Sequence, residues 1–89
     1  MYLHLGQETV VKEKDVIGVF DLDTSTVSKH TRNFLAKAEK EKKVINVSFE
    51  LPKSFILCSN KKKNKKVYIS QISTATLNKR SNIERNDFK

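Results

Sequence analysis

Phe55-Ile56-Leu57-Cys58-Ser59-Asn60-Lys61-Lys62-Lys63-Asn64-Lys65-Lys66-Val67-Tyr68-Ile69 is the stretch whose reading decides the fold. Two short apolar runs flank five lysines in six positions. Runs of this length, rich in β-branched and aromatic residues, have the character of strands. An insert with this much positive charge is solvated, so it reads as the loop that joins them. Residues 55–59 and 67–71 are therefore expected to form a β-hairpin with a lysine tip.

Upstream, Tyr2 and His4 alternate with Leu3 and Leu5, a half-buried strand that Gly6 ends. Thr9-Val10-Val11 suggests a second strand. Asp15-Val16-Ile17-Gly18-Val19-Phe20 reads as a third, buried on both faces, with Gly18 marking a bulge or a close backbone approach. The cluster Asp21-Leu22-Asp23-Thr24-Ser25 offers several N-caps for the main helix, expected over about 25–42. Val27, Thr31, Phe34, Leu35 and Ala38 fall on one stripe of that helix, with Lys29, Arg32, Lys37, Lys40 and Glu41 opposite. It fades at Lys42-Lys43, where cations suit the negative end of the helix dipole. Residues 44–49 alternate as a strand, which Leu51-Pro52-Lys53 breaks. Ser73 is a cap with Leu77 one turn on, so a short helix is expected over about 73–80. Residues 82–89 are polar and expected to be disordered. The fold class is α+β: a small mixed or antiparallel sheet, one main amphipathic helix, a short C-terminal helix and the lysine-tipped hairpin.

Eighty-nine residues make a single domain, placed at 1–81, with a marginal share of buried surface. Association with further copies is a common remedy. An apolar fraction of 37% and a net charge of +8 fit a folded domain with a basic face. The charge is unevenly spread. Residues 1–24 hold two lysines against five carboxylates, residues 25–60 seven basic against three acidic side chains, and residues 61–89 nine against two. The basic surplus favours a polyanion, while the acidic N-terminal third can attract the basic third of the same or a neighbouring copy.

Cys58 is the single cysteine, and inside an apolar run it reads as a buried, inert thiol. The N-terminus lacks the pattern of a signal peptide, and no run approaches the ~20 apolar residues of a membrane span. A cytoplasmic protein is expected, nucleoid-associated if it binds DNA. His4 and His30 have no carboxylate at dyad spacing, and Asp21 with Asp23 is what a helix entrance contains anyway. Two glycines cannot build a phosphate loop. Cys58 with the histidines lacks zinc spacing. No catalytic, cofactor or metal site is expected, and the chain does not read as an enzyme.

The lysine run has two readings. Charge on a hairpin tip protects a sheet edge from aggregation. Alternatively, Lys61, Lys62, Lys63, Lys65 and Lys66 contact phosphates as point charges, without reading bases. Four or five such contacts give affinity a log–log salt slope of about −4. No aromatic residue interrupts the lysines, which argues against a stacking platform for single strands. The main helix has no turn-linked companion, which argues against a helix-turn-helix.

Tyr2-Leu3-His4-Leu5-Gly6, Val10-Val11 and Asp15-Val16-Ile17-Gly18-Val19-Phe20-Asp21 resemble the RemB branch of the RemA/RemB family of bacterial extracellular-matrix regulators. Leu51-Pro52-Lys53-Ser54-Phe55-Ile56-Leu57, Val67-Tyr68-Ile69-Ser70 and Ser73-Thr74-Ala75-Thr76-Leu77-Asn78-Lys79-Arg80 continue the likeness in the same order. Together they cover residues 1 to about 81. The resemblance implies a small α/β domain that assembles into a ring-shaped homo-oligomer. In the RemA branch it implies rings that bind double-stranded DNA through repeated arginines and activate biofilm matrix genes. The family's Gly-Arg-Arg-Thr-Arg stretch is replaced here by Glu50-Leu51-Pro52-Lys53-Ser54, and a further basic position by Asp15. The arginines therefore do not carry over. The five loop lysines are the first substitute candidates for DNA contact, and Lys53, Lys79 and Arg80 the second. The competing expectation is an oligomeric interaction subunit that partners a RemA-like paralogue without touching DNA.

Overall fold

A computed structural model describes residues 1–25, 28–48 and 50–85. Along the chain come β1 (Tyr2–Gly6), β2 (Thr9–Lys12), a 3-10 turn (Glu13–Asp15), β3 (Val16–Asp21), α1 (Leu22–Ser25), α2 (Lys29–Lys40), β4 (Val44–Asn46), β5 (Ser54–Ser59), β6 (Lys65–Ser70) and α3 (Thr74–Arg85). β1 and β2 form a hairpin of their own, and the other four strands form one sheet in the order β3-β5-β6-β4. β4 runs parallel to β6, and the remaining neighbours are antiparallel. The class is α+β with a mixed sheet, as the sequence indicates.

The period-two alternation of β5 and β6 divides the hydrophobic residues between two faces. Phe55, Leu57, Val67 and Ile69 pack with Leu35 and Ala38 of α2, Val44 of β4 and Leu22 of α1. On the other face, Ile56, Cys58 and Tyr68 meet Leu3, Leu5 and Val11 of the β1–β2 hairpin and Leu77 of α3. The result is three layers with the sheet in the middle. Both faces of β5 and β6 are covered, so their apolar runs are nearly continuous. Leu5, Ile56, Leu77 and Val67 are fully buried, each worth about 1.5–3 kcal/mol of transfer free energy. The alternation in β1 holds, with Leu3 and Leu5 buried and Tyr2 and His4 exposed.

Gly18 marks a bulge. Val16 pairs with Cys58 and Gly18 with Leu57, so Ile17 is the extra residue. That insertion lets Val16 and Val19 both face the β1–β2 side, where they pack on the core. Gly18 also permits a close approach: a Cβ there would lie 2.6 Å from the Phe20 ring, which stacks on Phe55 with centroids 4.8 Å apart.

Several expectations need correction. β3 is an edge strand and is not buried on both faces; Ile17 is 56% and Phe20 38% exposed. A β-branched run looks the same at an edge as at a centre, so its sequence could not settle this. The main helix does not run from 25. Asp21 Oδ1 accepts from the amides of Asp23 and Thr24 and starts α1. α2 begins separately at Lys29, capped by Ser28, whose Oγ accepts from the Thr31 amide. Val27, assigned to the apolar stripe, lies outside the described residues. Of that stripe Ala38 is buried and Leu35 half-buried, whereas Phe34 stays exposed at the surface. β4 ends at Asn46, short of the expected 44–49, and Phe49 is outside the described residues. α3 is longer than the expected 73–80 and reaches Arg85; residues 86–89 of the proposed tail are outside the described residues. Its start is as read: Ser73 Oγ accepts from the Thr76 amide, and Leu77 is sealed into the core.

Candidate nucleic-acid interface

The lysine loop is shaped by one asparagine. Asn60 Oδ1 accepts from the amides of Lys62 at 2.9 Å and Asn64 at 3.0 Å, while its carbonyl takes the Lys63 amide at 2.9 Å. This side-chain turn is what asparagine does well in loops. It leaves Lys61, Lys62 and Lys63 exposed, with Lys63 in the left-handed region at φ 63°. Lys65 and Lys66 open β6, opposite Ser59 and Cys58, and the strand's alternation sends their side chains to opposite faces.

Each face then adds further cations. On the α2 side, Lys65 shares a cleft of about 360 Å³ with Lys37 and Lys43. Lys43 arrives there because α2 ends in a Schellman motif and β4 pairs in parallel with β6. The amide of Lys43 donates to Ala38 and that of Lys42 to Glu39, with Lys42 left-handed at φ 60°. The Val67 amide then donates to the Lys43 carbonyl at 2.9 Å. On the other face, Lys66 lines a cleft of about 280 Å³ with Lys12, Asp15, Tyr2 and Tyr68. One end of the molecule thus gathers Lys12, Lys37, Lys43 and the five loop lysines. Among the carboxylates there, Glu41 pairs with Lys43 at 3.4 Å.

The second group of candidates does not join this end. Lys53 precedes β5 at the far end of the hairpin, about 20 Å away along a six-residue strand. Arg80 lies on α3 and donates from Nη1 to the His4 carbonyl at 3.0 Å, tying that helix to β1. Lys79 is exposed on the same helix. Lys12, Lys37 and Lys43 were missed by sequence reasoning. Lys37 carried a partial signal, as a cation in the last turn of a helix. Lys43 read only as a cation at the helix end and Lys12 carried no signal, since their positions depend on strand pairings made far along the chain.

The remaining reactive groups are accounted for by packing. Burial, and secondarily the Asp15 carboxylate, pushes the Cys58 thiol from 9.0 up to about 11, which makes it a poor nucleophile. Burial raises the Tyr68 phenol as well, aided by Cys58 and Asp15. His4 Nε2 lies 2.8 Å from the Gln7 carbonyl, within the β1–β2 turn. Among the described residues, no three His, Cys, Asp or Glu side chains come together as a metal ion would require. No described helix is long and apolar enough to cross a membrane.

The described residues form a small three-layer α+β domain with a cationic end. Residues 2–80 match the family model described as RemA-like, extracellular matrix regulatory protein A-like. The chain is 36% identical over 81 residues to extracellular matrix regulatory protein B of Bacillus subtilis (strain 168), covering 91% of this chain and 90% of that protein. The chain belongs to the RemA-like family of extracellular matrix regulatory proteins, and it is similar to the B-type member of that family.

Proposed function

We propose that this protein is a non-enzymatic regulator of extracellular matrix genes that acts as a homo-oligomer on double-stranded DNA through its lysine end. The observation that carries the reading is the convergence of Lys37, Lys43 and Lys12 on the tip formed by Lys61, Lys62, Lys63, Lys65 and Lys66. Within the tip, Lys63 occupies a left-handed position where glycine is the easier residue. Assembly is supported by the β3 edge, which pairs with β5 alone among the described strands and exposes Ile17 and Phe20. One lysine tip binds weakly; several copies on one rim act at high effective concentration on a wrapped duplex.

The test pairs light scattering for native mass with a duplex mobility-shift assay at two salt concentrations. Changing all five loop lysines to glutamine should leave the mass unaltered and remove the salt-dependent binding. Retained binding rejects the tip as the contact, and a monomeric mass rejects the ring. A second reading rests on the exposed segment Glu50-Leu51-Pro52-Lys53, where Leu51 is 81% exposed and the family's arginines are absent. In that reading the oligomer is an interaction subunit for a RemA-like paralogue. An oligomer without duplex affinity at low salt selects it.

A further inference from the structure

The cleft between α2 and the start of β6 has a composition that a phosphate backbone does not use. Its floor is apolar: Phe34 and Ala38 from α2 and Val67 from β6. Its rim is cationic, with Lys37, Lys43 and Lys65, plus the Glu41 carboxylate. At about 360 Å³ it falls within the ~300–1,000 Å³ typical of small-molecule sites. Phe34 is 37% exposed, although its place on α2 suits it to burial. A duplex resting on lysine ammonium groups leaves such a floor uncovered, because phosphate contacts need no apolar surface.

The charge balance narrows the ligand. Glu41 lies 3.4 Å from Lys43 and offsets its charge, leaving the cleft with a surplus of two cations, supplied by Lys37 and Lys65. A phosphate monoester carries about −1.5 to −2 charges at neutral pH and three acceptor oxygens. We propose that the α2–β6 cleft is a binding site for a small phosphate monoester with a flat apolar body. The body lies on Phe34, Ala38 and Val67, and the phosphate is held between Lys37 and Lys65. The site does not depend on DNA binding by the lysine end.

The probe is 1-naphthyl phosphate, titrated into the folded protein by equilibrium dialysis, with 1-naphthol and inorganic phosphate as the two half-ligands. Saturable binding of the whole probe is expected, at least about tenfold tighter than either half, because 1-naphthol lacks the charge-assisted hydrogen bonds and inorganic phosphate lacks the apolar body. Lys37→Gln/Lys65→Gln and Phe34→Ser should each weaken it by about tenfold, with circular dichroism confirming that both variants are folded. Lys53→Gln/Lys79→Gln removes the same charge far from the cleft, at the other end of β5 and on α3, and should change affinity by no more than about twofold, since exposed charges beyond a Debye length are screened. Equal loss in the two lysine pairs overturns the site in favour of general charge attraction. Absence of saturation, or inorganic phosphate binding as well as the whole probe, overturns it as well.

Discussion

Ser70 Oγ donates to the Leu5 carbonyl at 2.6 Å, joining β6 to β1 across 65 positions of sequence. The same oxygen accepts from the Ile72 amide at 3.0 Å, and Ser54, opposite Ser70 in the sheet, donates to the Ile72 carbonyl at 2.7 Å. Both serines are fully buried. They satisfy the backbone where the chain leaves the sheet for α3, whereas Oε1 of the intervening Gln71 is buried without a hydrogen-bond partner.

Ser70→Ala removes the donor to Leu5 and the acceptor for Ile72 at once. A buried group left unsatisfied costs about 1–3 kcal/mol. The expected result is a lower urea midpoint with an unchanged slope, since the exposed surface on unfolding stays the same.

Gly18 and Phe20 should be energetically coupled. Gly18→Ala puts a methyl group 2.6 Å from the ring and displaces it from Phe55, losing an aromatic pair worth about 0.5–1.5 kcal/mol. In a Phe20→Ala background the methyl group meets no ring and should cost less. A double-mutant cycle measured by thermal unfolding reads the difference; independent effects of the two changes would contradict the stacking over Gly18.

Lys42→Gly and Lys63→Gly should each stabilise the fold by about 0.5–1 kcal/mol, because a left-handed conformation suits glycine better than lysine. Lys63→Gly also removes one charge from the lysine end. Gain of stability in both variants, with loss of duplex affinity in Lys63→Gly, would be read by unfolding and mobility shift on the same proteins.

The Cys58 thiol should resist alkylation. With its proton held to about 11, the thiolate at pH 8 is scarcer than in an ordinary thiol by about a hundredfold, and iodoacetamide should react slowly until urea unfolds the chain. The sign of the stability effect follows from the same shift. Between 9.0 and about 11 the unfolded chain has released a proton that the folded chain keeps. Stability therefore falls as pH rises through that window, and the contribution is intact below it. Cys58→Ala should flatten that part of the curve; an unchanged pH profile would contradict a buried thiol.

How much of this was legible depended on how local the cause was. The β5–β6 hairpin, the alternation of Leu3 and Leu5, the bulge at Gly18 and the Ser73 cap with Leu77 each follow from neighbours a few residues apart. The parallel pairing of β4 with β6 has no local signature, yet it is what carries Lys43 to Lys65. The break before α2 was obscured because Asp21 and Ser28 are both good caps and one reading needs only the first. Arg80 looked like a free cation because its acceptor is the carbonyl of His4, 76 positions away. The exposure of Ile17 and Phe20 was hidden by their apolar character, which states a need for burial without saying whether this chain or another supplies it.

The core on the β1–β2 side closes with Leu3 and Leu5 from the first strand and Leu77 from the last helix. During synthesis the β1–β2 hairpin is made first, and it has little to pack against until β5, β6 and α3 follow. A nascent chain that has emerged only through β4 therefore presents Leu3, Leu5 and Val11 to water, and a chain ending before Leu77 would leave that core open on one side. That side of the fold is therefore wholly non-local: it is complete only when Leu77 and Arg80 meet the first strand, so its formation should await the last helix.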